Sequence, residues 1–239
     1  MKPEVPDMMK KVVCLALVMV LCVACAAAED FYASTLYEAR MKALDLFDIC
    51  ALSAEYPGQN YQAGRLIRWS RSIRVYLDGS PSTADREKVR DFLMELGLRV
   101  PDLPSITETS SRSGANMIIY FGPLDRLSDH VTDYVDGNWG MFHYDYSDWC
   151  IYHAEIGIAT DVTTQHDRNH LIQEEIVGAL GLTNDHYVYK DSILYQPWTT
   201  VQQLSEVDWI LLNMVYSPLV SPGMKRDKLH KIFTDAWSE

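Results

Sequence analysis

Residues 168–185, R-N-H-L-I-Q-E-E-I-V-G-A-L-G-L-T-N-D, constrain the fold of this chain more than any other stretch. Wound at about 100° per residue, they place Leu171, Ile172, Ile176, Ala179 and Leu180 on one face of a helix. Glu175 projects into that face, between Leu171 and Ala179, while Glu174 and Gly178 sit on its flank. Gly181 then stops the helix as a left-handed C-cap, with Leu182 folding back as the hydrophobic closure. A carboxylate on the apolar side of a helix is costly unless it is paired, hydrogen-bonded or used. Glu175 is therefore the first candidate for a functional residue.

The rest of the chain reads as one α+β domain behind an export segment. Met8 to Lys11 is a positive n-region, Val12 to Val23 is apolar, and small residues follow up to Ala28. That pattern is a signal peptide, residues 1–28, and is set aside from the fold. Val23-Ala24-Cys25 resembles the end of a bacterial lipobox, which makes Cys25 the lipidation candidate. Cleavage after Ala28 is the alternative. Beyond Ala28 no second apolar stretch has membrane length. The net charge of −12 argues against nucleic acid and anionic headgroups as partners. A membrane is expected to be met only through an N-terminal lipid anchor. Two cysteines follow the signal, Cys50 and Cys150. In an oxidising compartment they are expected to pair, and closing a loop of that size stabilises by about 4.7 kcal/mol in the chain-entropy model. Two buried free thiols are the alternative.

Periodicity places the other elements. Glu29 to about Ala54 is helical, with Leu36, Ala39, Ala43, Leu44 and Phe47 near one face, and residues 29–60 form an N-terminal helix and linker. Ser72 to Leu77 alternates as a strand with Ile73, Val75 and Leu77 inward. Ser82 and Asp85 have capping-box spacing and open a helix with a stripe of Val89, Phe92, Leu93 and Leu96, ended by Gly97. Pro101 to Gly114 is a polar loop. Strands are expected over Asn116–Phe121 and Ala154–Thr160. Between them, Asp129 to Tyr152 reads as an acidic, aromatic loop whose rings, Trp139, Phe142 and Tyr144 among them, cover the sheet. Ser205 and Asp208 cap a later helix, and residues 225–239 form an amphipathic tail helix.

The helix, the L-G-L turn and Asn184-Asp185 resemble the active-site helix of the zincin metallopeptidases, H-E-x-x-H-x-x-G-x-x-H or D. Aligned on Gly181, the general-base glutamate falls on Glu175, and the ligand positions fall on Glu174, Gly178 and Asn184. Asp191 to Tyr195 resembles the Met-turn of the matrixin branch, with Leu194 in the methionine position. Leu204 to Tyr216 resembles its closing helix. The combination of E-E-I-x-x-A-L-G-L-x-N-D, D-S-I-L-Y, L-S-x-x-D and S-P-G-M is similar to domain of unknown function 2927, a group of bacterial lipoproteins, over about Arg68 to Met224. The resemblance implies a zincin-like (metallopeptidase-like) core over residues 61–224. A twisted sheet would pack there on two helices, followed by a C-terminal helical part. It also makes the aromatic loop a rim of the substrate cleft.

The match keeps the base and loses the ligands, because Gly178 offers no donor atom. No cofactor is assigned; a divalent metal could draw only on Glu174, His170 and Asp185. Two functions follow. One is a non-catalytic binding or assembly role for an envelope protein or peptide, through a peptide-binding-type cleft. In that role Glu174, Glu175, Asn184, Asp185, Ser192 and Asp208 form a structural network, with Glu175 accepting from the Asn184 or Ser192 turn. The other is an unconventional metal-dependent hydrolase with Glu175 as general base. The expected location is the periplasmic side of the bacterial envelope.

Overall fold

The computed structural model describes residues 35–53 and 64–237, so the expected export segment with Cys25 lies outside the described residues. The chain divides into two units, Met1–Met41 and Lys42–Glu239. Of the first, residues 35–41 are described, and they are the opening turns of helix α1 (residues 35–52). The second unit carries all the remaining elements.

Its centre is a sheet of six strands: β1 (Arg68–Trp69), β2 (Ile73–Gly79), β3 (Ile106–Glu108), β4 (Met117–Gly122), β5 (Gly140–Ser147) and β6 (Cys150–Ala159). β3, β2, β4 and β6 follow one another in parallel, and β1 runs parallel to the start of β6. β5 alone is antiparallel, pairing along β6 from Gly140↔Ile158 to Ser147↔Cys150. The alternation that predicts β2 is realised, since Ile73, Val75 and Leu77 are buried. β4 buries Met117, Ile119 and Phe121 on its inward face, and Ala154, Ile156 and Ile158 of β6 are buried beside them.

Two strands lie where the sequence suggests loops. β3 occupies three residues of the stretch 101–114, and β5 occupies the middle of 129–152. β3 is only three residues long, too short to show a period, and β5 alternates but lies within an acidic stretch that reads as loop. Helix α2 (Thr83–Arg99) has its Ser82–Asp85 capping box and buries Val89, Phe92, Leu93 and Leu96 as expected. It runs past Gly97, however, to a final bond from Val100 N–H to the Leu96 carbonyl. Gly97 stays in helical conformation and nothing crowds it, so it is tolerated at the usual small cost.

Helix α3 (Gln165–Ala179) starts earlier than the apolar pattern alone implies, at a Thr164–Asp167 capping box. Asp85 fixes it to α2. This carboxylate, 1% exposed, accepts from Arg168 Nε at 2.9 Å and Gln165 Nε2 at 2.8 Å. These hydrogen bonds, with that from Ser82, hold its pKa below the ordinary range although burial acts the other way. Helices α4 (Glu206–Tyr216) and α5 (Arg226–Trp237) complete the unit. α5 packs on α1 through Phe233 against Phe47, ring centres 5.5 Å apart, and through His230 Nε2 to Asp48 at 2.8 Å. No described helix is long and apolar enough to cross a membrane.

Cys50 and Cys150 are free thiols, against the disulfide expected from compartment and count. Placement explains this. Cys50 is buried on α1, where its carbonyl accepts from Asn184 N–H, while Cys150 opens β6 opposite Ser147 and Arg68. Burial, with the charges of Asp185 and Asp208, pushes the Cys50 thiol well up and keeps it protonated.

Candidate functional site

The site is built on the C-terminal half of α3. Leu171, Ile172, Ile176 and Ala179 are buried as the periodicity requires, and Glu175 among them is only 7% exposed. The helix ends as a Schellman turn. Gly181 has φ +111°, and Leu182 N–H donates to the Val177 carbonyl at 3.4 Å. Two buried aromatic donors take the last carbonyls, Trp69 Nε1 that of Ala179 at 2.9 Å and the Tyr216 hydroxyl that of Leu180 at 2.7 Å. A helix end buried this deeply requires such partners. With them, the end of α3 is a rigid support for the residues around it.

Between α3, the start of β5 and the segment 182–198 lies a cleft of about 400 Å³. α3 contributes Leu171, Glu174, Glu175 and Gly178; the other walls include Asn138 to Phe142, Leu182, Asp185, Leu194, Gln196 and Trp198. Helix and strand meet through two glycines. A Cβ on Gly140 would lie 2.5 Å from Glu175 Oε1 and 2.9 Å from Leu171, and one on Gly178 would lie 2.3 Å from the Phe142 ring. So the Glu175 carboxyl rests where β5 lacks a side chain, and the Phe142 ring rests where α3 lacks one.

His170 and Glu174 form a second feature. His170 Nδ1–H donates to the Val201 carbonyl at 2.7 Å, and Nε2 faces Glu174 Oε2 at 3.4 Å. Burial opposes charge on this imidazole. The Glu174 hydrogen bond and charge, helped by the Val201 carbonyl, outweigh it and raise the pKa above the ordinary histidine value. Trp198 meets His170 edge-on at 5.6 Å and Trp139 at 5.3 Å. Of the aromatics in 129–152, Tyr144 covers the sheet and is buried, whereas Trp139 is 39% exposed at the cleft.

The expected network is divided differently. Ser192 does not reach Glu175: its hydroxyl donates to Asp208 Oδ1 at 2.5 Å, and Ile193 N–H donates to Oδ2 at 3.0 Å. Asp208 also takes the Ser205 N–H and hydroxyl, so one buried carboxylate caps α4 and holds the turn before it. Burial raises its pKa against these four donors. Asn184 likewise turns away from Glu175, donating to Ser53 Oγ at 2.7 Å. Asp185, next to it, lines the cleft, and Leu194 is buried there between the His186 and Gln196 backbone bonds.

The metal that a zincin helix implies does not fit these residues. Gly178 has no donor and lies under Phe142, Asn184 is committed to Ser53, and Glu174 faces His170. Among the described residues no group of three or more His, Cys, Asp or Glu could hold a metal ion. His170, Glu174 and Asp185 therefore do not come together as a ligand set. Sequence reasoning misses Gly140 and Trp198. A glycine directly after Trp139 is a signal of close backbone approach, whereas Trp198, in Q-P-W-T-T, carries none.

A mainly parallel sheet with one antiparallel strand, packed with helices, makes this a core of mixed α and β structure. The chain belongs to the family described as protein of unknown function (DUF2927), whose model matches residues 41–235. Among solved structures it is similar to two of myroilysin. One aligns with a TM-score of 0.42 at 12% identity, covering 71% of this chain and 91% of that one. The other gives 0.41 at 13%, covering 71% and 99%. None of the curated proteins matches the chain.

Proposed function

We propose that the chain is a non-catalytic binding or assembly module that takes an extended protein segment in the cleft between α3 and β5. The observation that carries this reading is the Phe142 ring seated on Gly178. It fills the second ligand position with carbon and leaves an open, partly apolar cleft beside it. β5 pairs only with β6 among the described strands, and an unpaired strand edge beside a cleft supports recognition by strand addition. The sequence supports export to the periplasmic side of the envelope with Cys25 as lipid anchor, and Cys25→Ser should release the protein from membranes.

Burial of Glu175 in the cleft floor favours the second reading, a hydrolase with that residue as base. The test is to incubate purified protein with a library of capped extended peptides, with and without added zinc, and to measure binding and cleavage together. Saturable binding without cleavage is expected. Cleavage that disappears in Glu175→Gln, with unchanged melting, would overturn the binding reading.

A further inference from the structure

Resting on the cleft reading above, we infer that the bound segment presents a basic side chain, lysine or arginine, against Trp139 and Trp198 with its charge toward Glu174. Trp198 is 52% exposed and Trp139 39%, and they meet edge to face at 5.3 Å at the cleft. Two half-exposed indoles on the wall of one cavity are a surface that a partner covers, since single exposed apolar residues are ordinary and paired ones at a concavity are not.

The chemistry of the cavity selects the partner. Its lining includes the carboxylates of Glu174, Glu175 and Asp185, and no Lys or Arg. Trp198 touches His170, and His170 faces Glu174, so the indole and that carboxylate flank the same imidazole. A cation placed there meets an aromatic face and a carboxylate that it shares with the His170 imidazole. A wholly apolar side chain would cover Glu174 without compensating its lost water. An anionic one would bring a like charge against it. The net charge of −12 also draws basic segments from a distance.

The probes are three capped pentapeptides, acetyl-Ala-Ala-Arg-Ala-Ala-amide and its counterparts with central Ala or Glu. Titration calorimetry supplies affinities, and tryptophan fluorescence reports the cleft. The Arg peptide should bind about tenfold more tightly than the Ala peptide, with the Glu peptide weakest. Glu174→Gln should shrink the advantage of Arg over Ala by roughly threefold or more, and Trp198→Ala should weaken the Arg peptide by a similar factor. The wild-type ranking decides the matter even if a variant fails to fold. Equal affinity for Arg and Ala, or a preference for Glu, would overturn the charge inference and leave the cleft reading standing. No binding by any of the three would overturn both.

Discussion

Gly178→Ala tests whether Phe142 occupies the α3 groove as firmly as the geometry implies. The new Cβ would lie 2.3, 2.6 and 2.9 Å from three ring atoms, where ordinary contact begins at 3.4 Å. The ring must therefore retreat by about 1 Å to restore ordinary contact spacing. Its strand limits that movement, because Phe142 is in register with Ile156 and its ring lies 6.2 Å from that of Tyr144. Overpacking of this kind costs about 1–3 kcal/mol. Alanine is intrinsically better than glycine in a helix interior by about 0.8–1 kcal/mol, which offsets part of it. The net expectation is a loss of about 1 kcal/mol, or roughly 2–4 °C in Tm for a domain of this size. In a Phe142→Ala background the clash is gone and only the propensity gain remains, so the same substitution should stabilise. Urea unfolding of the two single variants and the double variant gives a coupling energy, expected at about 1–3 kcal/mol. A coupling below about 0.5 kcal/mol would refute the reasoning, because alanine would then be as welcome beside the ring as without it.

Three further outcomes are expected. Asp208→Asn puts an amide donor among the N–H and hydroxyl donors of Ser192, Ile193 and Ser205 and should cost about 1–3 kcal/mol in urea unfolding; an unchanged midpoint would contradict the anchor role. Glu155 has its pKa lowered from 4.5 to about 2, first by the His153 imidazole that faces it at 3.6 Å and then, against burial, by Thr132, while the same pairing raises His153 above 6.5. A depressed acid contributes stability above its unfolded pKa and a raised base below its own, so the pair acts fully between 4.5 and 6.5. Its contribution, about 1–2 kcal/mol after solvent screening, should fade as pH falls from 4.5 toward 2 or rises past the raised histidine value. Melting curves of Glu155→Gln should therefore be flatter across both limbs, and curves parallel to wild type would remove the argument. Gly181→Ala forces a side chain into φ +111° with its Cβ 2.6 Å from the Ile67 carbonyl, and should lose at least about 1–3 kcal/mol by thermal melting; a loss under about 0.5 kcal/mol would refute the strained-cap account.

What is legible in the sequence is legible through local rules. Gly181 announces its positive φ, the Ser82–Asp85 and Ser205–Asp208 pairs announce their caps, and the 3.6-residue stripe of α3 announces a buried Glu175. β5 carries the same alternation as β2, Phe142 and Tyr144 against His143 and Asp145, but it lies inside an acidic, aromatic stretch whose composition reads as loop. Its pairing with β6 supplies the stability that its composition does not advertise. The partners of Asn184 and Ser192 are not legible either. Asn184 donates to Ser53, just past the end of α1, and Ser192 to Asp208 on α4, and nothing in local spacing brings those segments beside them.

Two glycines, Gly140 on the strand and Gly178 on the helix, set the character of the cleft more than its carboxylates do. Each lets the opposite element advance by one side chain: Glu175 settles against the bare backbone of β5, and Phe142 settles against that of α3. The ring takes the space in which a ligand on the helix would have to project. Glu174 turns to His170, and Asn184 turns to Ser53. Glu174 lines the same cavity as Trp139 and Trp198. There it attracts a cation brought by a partner, and the close seat of Phe142 on Gly178 is part of the wall beside which that basic side chain would lie.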